Sequence, residues 1–113
     1  MANTESQTVS VIDGSSSDTS TRPSAPQNLQ ANGGNAQVTL SWSSPASNGG
    51  SAITGYKIYR STSSGTETGY VSLGNVTSYT NTGVTAGTTY FYKVRAVNSV
   101  GISSLSNEAS ATP

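Results

Sequence analysis

Apolar residues recur at every second position in short runs, and the runs are separated by Gly, Pro, Asn and Ser. Such alternation is the mark of half-buried strands, because successive side chains of a strand point to opposite faces. Gln37-Val38-Thr39-Leu40-Ser41-Trp42 places Val38, Leu40 and Trp42 on one face. Ile53 to Arg60 does the same with Tyr56 and Ile58, and Thr88 to Val97 with Tyr90, Tyr92, Val94 and Ala96. Shorter β-prone runs are Asn28–Ala31, Tyr70–Leu73, Ser78–Asn81 and Ser106–Ala111. The turn signals between them include Asn32-Gly33-Gly34-Asn35, Asn48-Gly49-Gly50 and Asn98 to Gly101. No stretch carries helical periodicity. About seven short strands at this spacing predict an all-β fold, an immunoglobulin-like antiparallel β-sandwich of two sheets.

Residues 1–22 do not share this pattern. Gly14 to Thr21 is a polar low-complexity run with no apolar face to bury, which predicts a flexible tail or linker. Upstream of it, Thr8-Val9-Ser10-Val11-Ile12 is β-prone and closes on Asp13-Gly14, a turn signal. The run Thr8 to Gly14 resembles a strand found in repeats of some surface β-propellers, and this implies a further domain upstream. Met1 reads as an expression start on an excised fragment. The domain proper is expected over residues 23–113, entered through Pro23 and Pro26, which are tolerated at strand starts.

Composition narrows the chemistry. Hydrophobic residues make up 32% and charged ones only 9%, while Ser and Thr fill about a third of the chain and 12 residues are Gly. The formal net charge is zero, so no overall field draws the chain to nucleic acid. The few charges are unevenly spread: Glu5, Asp13 and Asp18 lie in the first twenty residues, whereas Lys57, Arg60, Lys93 and Arg95 outnumber Glu67 and Glu108 from Pro23 onward. Without Cys or His, disulfides, thiolate metal sites and the commonest general base are absent. No apolar run reaches the length needed for a bilayer, so no membrane insertion is expected, and Met1 to Glu5 lacks signal-peptide character. No cofactor is expected.

The ordered set of motifs from Pro23 to Pro113 resembles the fibronectin type III domain, in the version found in microbial extracellular proteins such as modular glycoside hydrolases and surface proteins. The residues that carry the resemblance are Pro23-Ser24-Ala25-Pro26-Gln27-Asn28-Leu29, Val38-Thr39-Leu40-Ser41-Trp42, Ile53 to Arg60, and Gly87 to Asn98 followed by Gly101. The region in which they fall, Pro23 to Pro113, is about four-fifths of the chain. The resemblance implies that Tyr90 is the tyrosine corner, whose hydroxyl ties back to the backbone a few residues upstream. Val84 stands where the family usually has Leu. It further implies an extracellular accessory module beside neighbouring domains, and no enzyme.

The residues themselves give the same answer on catalysis. Glu67 and Glu108 read as two solvated charges that nothing in the spacing brings together, and no Ser or Thr has a base to activate it. Trp42, Tyr56, Tyr90 and Tyr92 read as structural core. Lys57, Tyr59, Phe91, Lys93 and Arg95 point outward from the two longest strands and form the candidate binding face. The expected register sets Tyr59 near Phe91 and Lys57 near Lys93. An aromatic pair beside cations suits a sugar, an acidic polymer, a carboxylate-bearing partner or a neighbouring domain. Val9, Val11 and Ile12 form a candidate assembly strand, able to add to a sheet edge of another molecule. The leading expectation is a monomeric spacer and contact module. Polysaccharide binding and tail-mediated oligomerisation are the alternatives. Asn75-Val76-Thr77 is an N-glycosylation sequon.

Overall fold

Alternation along each strand separates two environments, and two sheets close on the apolar one. The computed structural model describes residues 20–113. The strands are β1 (Gln27–Gly34), β2 (Gln37–Ser43), β3 (Gly55–Ser61), β4 (Thr68–Leu73), β5 (Ser78–Asn81), β6 (Tyr90–Val97) and β7 (Ala109–Ala111). One sheet has the order β1-β2-β5 and the other β4-β3-β6-β7, with every pairing antiparallel. This is the immunoglobulin-like sandwich that the strand count predicts. The core consists of Leu29, Val38, Leu40, Trp42, Tyr56, Ile58, Tyr90, Tyr92, Val94 and Ala96. Each large side chain so buried contributes about 1.5–3 kcal/mol. Trp42 and Tyr56 meet across the sheets edge to face, with ring centroids 5.4 Å apart.

The structure differs from the sequence reading at three elements. β1 runs on through Gly33 and Gly34, and the chain reverses one step later at Asn35-Ala36, where Ala36 adopts φ 55°. Gly33 is therefore a packing position: a Cβ there would stand 2.5 Å from the Thr112 carbonyl oxygen. β4 starts at Thr68 rather than Tyr70. A bulge at Tyr70, between the pairs Ile58–Val71 and Tyr59–Gly69, turns that ring toward the end of the core.

The last strand pairs only over Ala109–Ala111, not from Ser106. In its place two buried serines continue the ladder by their hydroxyls. Ser103 donates its N–H to the Ala96 carbonyl (2.9 Å) and accepts the Ala96 N–H on Oγ (2.8 Å). Ser106 does the same with the carbonyl and N–H of Val94, at 2.8 and 2.9 Å. Hydroxyl oxygens thus stand in for backbone carbonyls, which satisfies buried N–H groups without a regular strand.

Residues 20–22 lie along the loop before β3. Thr21 donates its N–H to Gly49 O (2.8 Å), and the Asn98 amide donates to both Thr21 O and Asn48 O at 2.8 Å. The Asn98 carbonyl oxygen in turn accepts from Val100 N and Gly101 N. With only 4% of its surface exposed, Asn98 uses both ends of its amide to join three loops at this end of the sandwich. Val9, Val11 and Ile12, like all of residues 1–19, lie outside the described residues.

Candidate functional site

The outer face of the four-stranded sheet holds the five residues singled out from the sequence. All are half-buried, and their register differs from expectation. Lys57 opposes Arg95, Tyr59 opposes Lys93, and Phe91 opposes Ser61 and Ser110. The expected neighbours Tyr59–Phe91 and Lys57–Lys93 are therefore each displaced by one pair on the same face. The inward side decides this: Ile58 meets Val94 and Tyr56 meets Ala96, and any other register would break these core pairs.

The cations on this face are already engaged. Lys57 Nζ donates to Ser72 Oγ at 3.2 Å. Lys93 Nζ lies 3.7 Å from Glu67 Oε1. The Arg95 guanidinium sits 5.3 Å from the Tyr59 ring centroid and donates Nη1–H to Ser103 O at 3.2 Å. The five residues thus divide into Lys93 paired with Glu67, Arg95 stacked on Tyr59, Lys57 bonded to Ser72, and Phe91, rather than forming one open platform.

Glu67 and Glu108 depart furthest from the sequence reading. They are brought together at one spot: the Glu67 side chain, only 2% exposed, pairs with Lys93, and its carboxyl neighbours that of Glu108. Glu108 Oε1 accepts from Ser64 Oγ (2.7 Å) and Oε2 from Gly65 N (3.0 Å). The adjoining Glu67 side chain, with the hydrogen bonds from Ser64 and Gly65, holds the Glu108 carboxyl at about 2, against the usual 4.5. Paired carboxyls of this kind serve acid catalysis elsewhere. Here neither lines either of the two hollows on the sheet's outer side. The pair clamps the β3–β4 loop onto the start of β7.

Trp42, Tyr56, Tyr90 and Tyr92 are all buried. The Tyr90 hydroxyl accepts the Thr85 N–H at 2.8 Å, so it ties to the backbone five residues upstream. Three further polar residues were not singled out by the sequence reading. Asn81, with no exposed surface, donates to the Tyr92 hydroxyl (2.9 Å) and accepts from the Tyr70 hydroxyl (3.0 Å) and Gly83 N (3.3 Å). Arg60 donates to Gly83 O at 3.2 Å, with its guanidinium 4.0 Å from the Tyr70 ring centroid and 5.2 Å from that of Tyr90. Both could have been found from alternation, since Asn81 shares a face with Tyr79 and Arg60 with Ile58. Arg22 is the third. It was grouped with the tail, but its side chain lies across Gly101. Asn75 of the sequon is exposed between β4 and β5.

Two hollows mark the outer side. One, of about 320 Å³, is bordered by Lys57, Tyr59, Tyr70, Ser72 and Ile102, and Gly69 leaves it open opposite Tyr59. The other, of similar volume, is bordered by Arg22, Arg95 and Ile102 to Leu105.

Comparison with known proteins gives a consistent picture. A family model described as the fibronectin type III domain matches residues 24–112. The chain is 38% identical over 91 residues to a Kelch domain-containing protein of Saccharolobus solfataricus, a match covering 80% of this chain and 12% of that protein. It is 39% identical over 84 residues to exoglucanase B of Cellulomonas fimi, covering 72% and 7%. Among solved structures, an Fn3-like protein from Clostridium thermocellum superposes with a TM-score of 0.70 at 31% identity, covering 82% of this chain and 96% of that one. A segment of titin gives 0.73 at 28% identity, covering 80% and 32%. The chain spans about an eighth or less of the length of these curated relatives.

Proposed function

Because the chain belongs to the fibronectin type III family over residues 24–112, we propose that it is a non-catalytic accessory module of a secreted or cell-surface protein, acting as spacer and protein-contact domain. One observation carries this reading. The same stretch recurs as a small part of proteins whose names give unrelated roles: a Kelch domain-containing protein, an exoglucanase, amylopullulanases and titin. A segment common to all of them does not confer any one of their activities; it supplies what multidomain proteins share, a folded unit between other units. The extracellular setting is supported by the relatives named for glucan and pullulan breakdown. Engagement of Lys57 and Lys93 within the domain supports structural use of that part of the outer face.

The test compares the full chain with one starting at Ser20, by multi-angle light scattering and by assay on glucan polymers. Two monomers without hydrolysis are expected. Turnover of polymer would overturn the non-catalytic reading. Assembly of the full chain alone would replace the spacer reading with one in which Val9, Val11 and Ile12 add in trans to an open strand edge.

A further inference from the structure

Beyond Tyr92, the free edge of β6 is met by residues 102–106 and not by a regular strand. The hollow beside that segment holds two arginines from distant parts of the chain. Arg22 comes from the N-terminal entry, fixed by the hydrogen bonds of Thr21 to Gly49 and Asn98. Its side chain rests on Gly101, where an added Cβ would stand 3.3 Å from Nε and 3.4 Å from Cγ. Arg95 comes from β6 and is oriented by Ser103 O and the Tyr59 ring.

Among the described residues, neither guanidinium has a carboxylate within 4.0 Å; the ion pair found is Lys93–Glu67. Among the described residues, Arg95 Nε is buried without a hydrogen-bond partner, and of the other side-chain donors of the two arginines only Arg95 Nη1 has an acceptor. The two guanidinium groups bring positive charge to one hollow of about 320 Å³, a setting that favours an anion. A guanidinium presents a planar fork that matches the two oxygens of a carboxylate. Ile102 and Leu105 give the hollow apolar wall for a carbon skeleton.

Ile102 also borders the second hollow, where Tyr59 and Tyr70 offer ring surface and Lys57 and Ser72 offer polar groups. An aromatic wall with flanking donors suits a pyranose ring better than an extended peptide. We propose that Arg22 and Arg95 bind the carboxylate of a uronic-acid saccharide, with an adjoining sugar ring over the Tyr59–Tyr70 hollow. The site is independent of the assembly question, since a chain that is monomeric by light scattering carries it equally.

The experiment is a titration of the full chain followed by 1H–15N NMR, including the arginine Nε–H signals. The probes are trigalacturonate, the neutral maltotriose and an acidic tripeptide. Trigalacturonate is expected to shift Arg22, Arg95, Ser103 and Ser104 in the millimolar range, while maltotriose leaves the arginine signals in place. Arg22→Gln and Arg95→Lys should each weaken binding roughly tenfold, through loss of one charge-assisted pair or of the planar fork. Arg22 is exposed, so its variant keeps the thermal midpoint and the test stands even if Arg95→Lys perturbs the fold. Absence of arginine shifts with trigalacturonate, equal affinity in the Arg22→Gln chain, or a response to the acidic tripeptide alone would each overturn the proposal.

Discussion

Replacing Asn81 by Ala should cost about 3 kcal/mol, far more than removing the Tyr70 hydroxyl. The amide has no exposed surface and makes three hydrogen bonds: to the Tyr92 hydroxyl, from the Tyr70 hydroxyl and from Gly83 N. Tyr92 is equally buried, so truncation leaves its hydroxyl without a partner, at a cost of about 1–3 kcal/mol. Tyr70 is 38% exposed and can turn to water, so its loss adds only about 0.5–1 kcal/mol. The void left by the amide adds a further fraction of about 1 kcal/mol. For a domain of this size the sum corresponds to a fall of roughly 12–24 °C in the thermal midpoint. Tyr70→Phe should cost about 1 kcal/mol or less, because Gly83 N still donates to the Asn81 oxygen. Urea unfolding of Asn81→Ala, Tyr92→Phe and the double variant gives the decisive cycle. Tyr92→Phe removes the very hydroxyl that Asn81→Ala orphans, so the double variant should be more stable than additivity allows by about 1–2 kcal/mol. Additive costs, or an Asn81→Ala penalty no larger than that of Tyr70→Phe, would refute the buried-network reasoning.

Gly33→Ala should destabilise by about 1–3 kcal/mol, because its Cβ would press on the Thr112 carbonyl and backbone must move; a neutral change in urea would show that the C-terminus yields freely. The Glu108 clamp predicts a pH dependence. Its folded pKa of about 2 lies below the usual 4.5, so its stabilisation is fully present above about 4.5 and is lost as pH falls through about 2. The gap in thermal midpoint between the native chain and Glu108→Gln should therefore close on acidification, and a gap constant from neutral pH down to about 2 would contradict the clamp.

What the sequence revealed follows from which interactions are periodic. Burial on one face repeats every second residue, so Val38, Leu40 and Trp42 on β2 and Tyr90, Tyr92, Val94 and Ala96 on β6 could be placed inward from the letters alone. The fold class rested on that repetition, and the family resemblance on the ordered motifs from Pro23 to Pro113. Register is another matter: it depends on which inward residue meets which across the strand pair, and the pairing of Ile58 with Val94 is not written in either strand separately. The displacement of Phe91 from Tyr59 follows from that alone. Gly33-Gly34 was read as a turn because glycine marks turns more often than close contacts, and the contact with Thr112 is between residues far apart in sequence.

The polar sites show the same division more sharply. Glu67 and Glu108 lie on separate elements, and each has the composition of an ordinary surface position; only closure of the sandwich buries one and aligns Ser64 and Gly65 with the other. Ser106 reads as the start of the last strand and Ser103 as part of no element, yet the hydroxyls of both complete the β6 ladder. That substitution has a consequence for the outer face. A regular strand at 103–106 would place its own backbone along the whole of β6. The serines instead hold the segment through paired contacts at Val94 and Ala96, and the hollow flanked by Arg22 and Arg95 lies beside it. The polar composition that made this chain look poor in chemistry thus supplies the hydroxyls that hold the segment beside two arginines whose donors are largely unspent.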